Sequence, residues 1–313
     1  MTAANVPKAT LYWFSGSCWS APAQLTAREK GYKDDVELEK RLVDLPKGEN
    51  FSPAFLRISP EGKVPVLVVP YAHTVEEGIT TKFKAITGSA AVTDFLDQAT
   101  IRSSTHQAPS LSPATVQRAS AQKELIELVH KDEVDPNLLL LSFRDDKERE
   151  AKLGALPGGF LKGRQEALER YAKEVGDSDA KLKAFYEKKI AENGGLLAQY
   201  EGKQDSTDFQ KTSQQLWSSI GKTLAVLETK FEPNATYLVG DQVSLADLHV
   251  GAWLARILAV AGATSASDIP SALQKLEANL PSPDNKVGAK LAKWAEELFA
   301  RESFKEVYAE GLH

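Results

Sequence analysis

Apolar and polar positions follow two different rhythms along this chain, and the change falls near residue 100. Before it, short apolar runs stand between turn residues. Thr10 to Phe14 is a compact apolar and aromatic run, the pattern of a buried strand. Ser20 to Lys30 then predicts a helix, closed by Gly31, a residue suited to the left-handed position after a last turn. Val36 to Leu45 alternates loosely around Leu38, Leu42 and Val43 and predicts a second strand. Ser52 to Ile58 predicts a short helix behind a serine cap. EGKVPVLVVP predicts a turn and a third strand, Lys82 to Ile86 a fourth, and Ser89 to Gln98 a helix whose face carries Ala91, Val92, Phe95 and Leu96. The order is β-α-β-α-β-β-α.

Residues 99–113 are rich in Ser, Thr and Pro and read as a linker. Everything after them is helical in period. Residues 115–142 predict one or two helices, and residues 208–231 carry Leu216, Ile220, Leu224, Leu227 and Phe231 on one face. Ser244 to Gly262 and Gly288 to Tyr308 predict further helices. Residues 145–203 are highly charged, with breaks expected at Leu156-Pro157-Gly158-Gly159 and Asn193-Gly194-Gly195. The division is therefore an α/β domain over 1–98, a linker over 99–113 and an all-helical domain over 114–313.

Composition narrows the function classes. The 313 residues carry a net charge of −5, which argues against nucleic-acid or anionic-membrane binding through bulk charge. A single cysteine excludes an intrachain disulfide and any multi-cysteine metal site. The five histidines, at 73, 106, 130, 249 and 313, show no ligand spacing, so no metal is expected. The start, MTAANVPKATLYWF, lacks the basic and apolar regions of a secretory signal, so a cytoplasmic protein is expected. LADLHVGAWLARILAVAG is strongly apolar but carries Asp247, His249 and Arg256, which makes it a buried helix and not a membrane span.

Pro65, inside the run KVPVL, is the awkward residue of the third strand, because proline cannot donate to a ladder. A proline at an exposed strand start is one solution. A cis Val64-Pro65 bond is another, and it leaves the Val64 N–H and C=O free to act as a hook for an extended ligand. The element order, together with SPEGKVPVLVV, TGSAAVTDFLD and YLVGDQVSLADLHVGAWL, resembles the cytosolic glutathione transferase family. The resemblance covers residues 9–98 and roughly 207–300. It implies an α/β thioredoxin-like N-terminal domain, an all-α C-terminal domain in which about 145–203 is an insertion, and a homodimer. It also implies detoxification chemistry: glutathione as co-substrate without a further cofactor, and a hydrophobic small-molecule electrophile.

By the same resemblance, Pro65 is cis and Val64 pairs with the cysteinyl part of glutathione. Ser89, at the start of its helix, takes the γ-glutamyl carboxylate, where a hydroxyl and free helix N–H groups suit an anion. The family usually has an acidic residue just before this serine; here Gly88 stands there. Lys63 is a weaker candidate, a cation able to neutralise a glutathione carboxylate. The serine-type classes place their catalytic serine fourteen residues before the glycine that closes the first helix. Counted from Gly31, that position is Ser17. The omega-class cysteine has the same offset, and Ser17-Cys18 followed by Trp19 and Ser20 loosely resembles the zeta-class cluster. The tyrosine-type offset falls on Trp13, not Tyr12, so a tyrosine mechanism is not expected.

The chemistry needs a thiolate near neutral pH. A free thiol with a pKa of about 8.5 is only roughly 3% ionised at pH 7, and a shift to about 6.5 raises that to roughly three-quarters. The shift corresponds to about 2.7 kcal/mol, and one hydrogen bond to a charged group supplies about 1.5–3 kcal/mol. Ser17 is the right size of device; capping the helix is its plainer and compatible role. Ser15 and Ser20 are reserve donors. Cys18 offers a second chemistry, a mixed disulfide with glutathione in a thiol transferase or deglutathionylase, if it is not simply a small core residue. Trp19 either walls the electrophile site or belongs to the core. A transferase-like scaffold that binds ligands without catalysis is the remaining alternative, with Gly88 and the insertion in its favour.

Overall fold

The computed structural model describes residues 8–70, 83–99, 108–282 and 286–313. Lys82, the start expected for the fourth strand, lies outside them, as do His73, His106 and most of the linker. In the first half, β1 (Ala9–Trp13), α1 (Ala21–Glu29) and β2 (Leu38–Leu42) lead through a short 3-10 turn (Glu49–Phe51) to α2 (Pro53–Leu56). β3 (Val66–Pro70), β4 (Phe83–Thr87) and α3 (Ser89–Gln98) complete it. The sheet runs β2-β1-β3-β4, with β1 and β2 parallel and β3 antiparallel to both of its neighbours. Leu11, Leu38 and Leu67 bury one face under α1 and α3, through Ala23, Ala27, Val92 and Leu96. On the other face Val43 and Val66 meet Phe55 of α2.

The second half is all helix: α4 (Val116–Val129), α5 (Pro136–Leu141), α6 (Asp146–Leu153), α7 (Leu156–Val175), α8 (Ala180–Tyr200), α9 (Thr207–Glu228), α10 (Leu245–Val260), α11 (Ile269–Asn279), α12 (Ala289–Phe299) and α13 (Glu302–Val307). α10 is the axis. Every residue from Leu245 to Leu258 is buried, which is why its sequence is apolar on all sides. Its three polar residues are each partnered. Asp247 accepts from the backbone of Leu238 and Ser244 at 2.9 and 2.8 Å, the Ser244 hydroxyl at 2.6 Å and Trp294 Nε1 at 2.8 Å. His249 meets Thr93 and His130, each at 3.1 Å, and Arg256 Nη2 donates to the Gly16 carbonyl at 2.5 Å.

Two expectations change, at Asn193-Gly194-Gly195 and over Gly288–Tyr308, while the break expected at Leu156-Pro157-Gly158-Gly159 falls between α6 and α7. Asn193-Gly194-Gly195 does not break a helix; it lies inside α8. The reason is close packing on α7: Asn193 Nδ2 donates to the Leu161 carbonyl at 2.9 Å and to Gln165 Oε1 at 2.8 Å, and Gly194 faces the Gln165 side chain. Leu156-Pro157-Gly158-Gly159 opens α7, its proline in the first turn, where no donor is lost. The Gly288–Tyr308 stretch forms two helices, parted at Arg301, whose backbone is extended. α11 was not foreshadowed by the apolar pattern described above.

The α7–α8 hairpin does not stand free. It packs on the 46–51 segment of the first half, with Leu168 and Tyr186 against Phe51 and Leu56.

Candidate active site

The sheet register brings the candidate segments to one end. Tyr12 lies opposite Val66, and Val66 opposite Thr87. The exit of β1, the entry of β3 and the exit of β4 are therefore neighbours, and they carry Ser17, Val64 and Ser89 onto the same edge of the domain. The Val64-Pro65 bond is cis. Val64 stands just before β3, and its backbone N–H and C=O pair with nothing among the described residues. Ser59 holds the turn that precedes it: its hydroxyl donates to the Lys63 carbonyl at 2.8 Å and accepts from the Lys63 N–H at 3.0 Å.

The β1–α1 turn is built by its own backbone. Ser17 N–H donates to the Phe14 carbonyl at 3.1 Å, and the Ser17 carbonyl accepts from Ser20 and Ala21 at 3.0 and 3.2 Å. Ser17 Oγ accepts from the Ser20 N–H at 3.2 Å. Its own hydrogen goes to no protein acceptor among the described residues, and the residue is half-buried at the mouth of the turn. Ser17 is thus not the residue that enters the helix; Ser20 is, and it is fully buried, its hydroxyl turned back to accept from Phe14 N–H at 3.4 Å. Ser15 is exposed.

Cys18 faces the core. Its side chain has no exposure, its thiol donates to the Ala252 carbonyl of α10 at 3.4 Å, and burial pushes its pKa up to about 12. Arg256 nearby pulls the other way, but desolvation wins. Sulfur held this way is neither ionised at neutral pH nor open to a disulfide. Trp19 is half-buried and stacks on His130 at a centroid distance of 3.8 Å, so one ring face is already covered.

Ser89 is the first residue of α3, 6% exposed, behind Gly88 with φ +89°. A Cβ at Gly88 would meet nothing within 4 Å, so backbone conformation and not crowding disfavours an acidic residue here. Lys63 is exposed and pairs with Glu61 at 2.6 Å. Among the described residues no group of three or more His, Cys, Asp or Glu side chains is arranged to hold a metal. None of their helices is long and apolar enough to cross a membrane.

Sequence reasoning missed Arg256 and the His130–His249 pair as parts of this region. The signal was present: a polar residue inside a fully apolar helix must have a partner. Arg256, 5% exposed, spends one donor on Gly16 and so fixes the peptide that precedes Ser17.

This architecture is that of a glutathione transferase. The family model described as glutathione S-transferase, N-terminal domain, matches residues 16–99, and the C-terminal domain model matches residues 210–280. The chain belongs to the cytosolic glutathione transferase family. It is 38% identical over 68 residues to Glutathione S-transferase 1 of Dianthus caryophyllus, a match covering 22% of this chain and 29% of that protein. The match thus spans less than a third of that curated relative's length. Among solved structures, the beta-etherase LigF of Sphingobium sp. strain SYK-6 superposes with a TM-score of 0.54 at 19% identity, over 97% of this chain and 99% of that one. Gtt2 of Saccharomyces cerevisiae gives 0.51 at 15% identity, over 95% and 99%. At these identities the likeness is one of fold.

Proposed function

We propose that the chain is a serine-type glutathione transferase that adds the glutathione sulfur to hydrophobic electrophiles. The observation that carries this reading is Ser17: its oxygen accepts the Ser20 N–H, and its proton is left to give. A hydroxyl that accepts a hydrogen bond is polarised toward donating one, and a thiolate placed at the turn is the acceptor it lacks. Val64 supplies the backbone pair for the cysteinyl unit, Pro65 fixes that hook, and Ser89 with the first turn of α3 receives the γ-glutamyl carboxylate. Lys63 adds positive charge at the rim. Trp19 lines the electrophile side with its uncovered face. The buried Cys18 thiol speaks against the disulfide-exchange alternative.

The test is Ser17→Ala. Loss of a charge-assisted hydrogen bond of about 1.5–3 kcal/mol raises the pKa of bound glutathione by about one to two units. Conjugation of a chlorodinitrobenzene-type electrophile at pH 7 then falls roughly ten- to a hundredfold, chiefly in kcat, while glutathione still binds. An unchanged thiolate titration, followed by ultraviolet absorbance, would remove Ser17 from the mechanism and pass the role to Ser15, the exposed neighbour.

The reading includes a homodimer, supported by family membership. Sedimentation at micromolar concentration should give twice the 34.1 kDa chain mass. A species of the single-chain mass refutes the dimer without touching the chemistry.

A further inference from the structure

We propose that the α7–α8 hairpin sets the position of the Val64 hook, with Tyr186 as a positioning residue; the ligand part of this rests on the glutathione reading above. Tyr186 has no exposed surface, and its hydroxyl donates to the Phe51 carbonyl at 2.7 Å. The Arg164 guanidinium lies over the Phe51 ring at 5.0 Å. One residue back, Asn50 Nδ2 donates to the Gly62 carbonyl at 2.7 Å. Gly62, at φ +65°, is pressed against this pair: a Cβ there would lie 2.9 Å from the Asn50 carbonyl oxygen and 3.0 Å from the Phe51 ring. The Gly62 and Lys63 amides are in turn held by Ser59, at 2.8 and 3.0 Å, and Val64 is the next residue.

From Tyr186 to Val64 the path is thus a short series of buried hydrogen bonds and tight contacts. The hairpin grips the start of that path on two further sides. A Cβ on Gly163 would come within 2.5 Å of the Pro46 carbonyl oxygen, and one on Gly48 within 2.3 Å of Ala167 Cβ. Contacts this close make the hairpin and residues 46–51 move as one body. The hook needs a fixed geometry to meet an extended ligand with two hydrogen bonds. The hairpin provides it from outside the domain that carries the hook.

Two measurements on the full chain test this. The first is amide exchange. Tyr186→Phe removes one hydrogen bond and keeps the ring, and should speed exchange at Gly62 and Lys63 about tenfold while leaving β1 and β3 amides unchanged. This arm decides the mechanical link whether or not glutathione binds. The second is calorimetry with reduced glutathione. If the wild type takes up none, the functional reading fails and the ligand part of the proposal fails with it. If it binds, Tyr186→Phe should weaken affinity about five- to tenfold and raise KM in step, with kcat at saturation within about twofold.

Tyr171→Phe is the control: this ring stacks on Tyr186 at 6.4 Å but bonds to none of residues 46–51 among those described. It should move neither readout. Asn50→Ala cuts the same path one link later, and the double variant should lose no more than the larger single variant. Unchanged exchange and affinity in Tyr186→Phe, equal effects in Tyr171→Phe, or full additivity with Asn50→Ala would each overturn the proposal. Should Tyr186→Phe fail to fold, Asn50→Ala compared with Tyr171→Phe tests the same path.

Discussion

Two helices of this protein begin at a serine-led turn, and the two turns are put to opposite uses. At the start of α10, Ser244 commits both its backbone N–H and its hydroxyl to Asp247, whose carboxylate also takes Leu238 N–H and Trp294 Nε1. The whole cluster is buried, and each of its four donors ends on the Asp247 carboxylate. Before α1, Ser17 accepts one hydrogen bond, keeps its proton and stays half-open to solvent. A saturated turn can only stabilise. An unsaturated one, held rigid by its neighbours, can also bind.

The largest way to break this contrast is Asp247→Ala. It leaves two backbone amides, a hydroxyl and an indole N–H buried without a partner, and should cost about 3–5 kcal/mol, at the upper end for single substitutions. Thermal unfolding should report it as a large fall in Tm; a change below about 1 kcal/mol would mean that the Ser244 turn is dispensable. Ser17→Ala, by contrast, removes one acceptor at a half-open turn, an effect of about 0.5–1.5 kcal/mol on stability, beside its larger expected effect on thiolate chemistry.

The smallest expected effect sharpens the comparison one residue further on. Cys18→Ala should leave conjugation within about twofold and lower stability by about 1 kcal/mol, and native wild-type thiol should resist a thiol reagent until the chain is denatured. The pH dependence has a definite sign. Burial raises the folded Cys18 pKa from 9.0 to about 12, so below pH 9 its stabilising contribution is complete. As pH climbs from 9 toward 12 the unfolded thiol ionises first and that contribution is lost. Cys18→Ala should therefore flatten the alkaline fall in stability. Rapid native labelling of Cys18 would show the residue to be accessible and revive disulfide exchange.

Much of this was legible in the chain, for reasons that differ by place. Pro65 in a good strand, Gly31 at φ +76° after α1, and Ser89 at the start of α3 are local signals, and local chemistry fixes them. The family models and the solved folds support the two-domain architecture that those signals implied. That Ser17 lies in the turn before α1 follows from the helix expected from Ser20, but its hydrogen bonding was not legible, because the backbone bonds that close the turn on Phe14, Ser20 and Ala21 set it. Cys18 points inward because α10 lies against the turn, a tertiary fact that spacing cannot carry. The glycines of α8 read as a break because glycine weakens a helix by about 1 kcal/mol; contact with α7 outweighs that locally. Tyr186 and Phe51, 135 positions apart, carried no sign that they meet.

The bond from Arg256 to the Gly16 carbonyl spans 240 positions, and that has a consequence for the newborn chain. At about 5–20 residues per second, a ribosome needs on the order of 10–50 s after making the Ser17 turn to produce the side chain that fixes it. Throughout that interval the first domain can assemble its sheet, yet the turn lacks its anchor, and the Cys18 thiol lacks the α10 surface that shields it. The proposed glutathione edge of this protein is thus among the last parts to mature, although its residues are among the first to be synthesised.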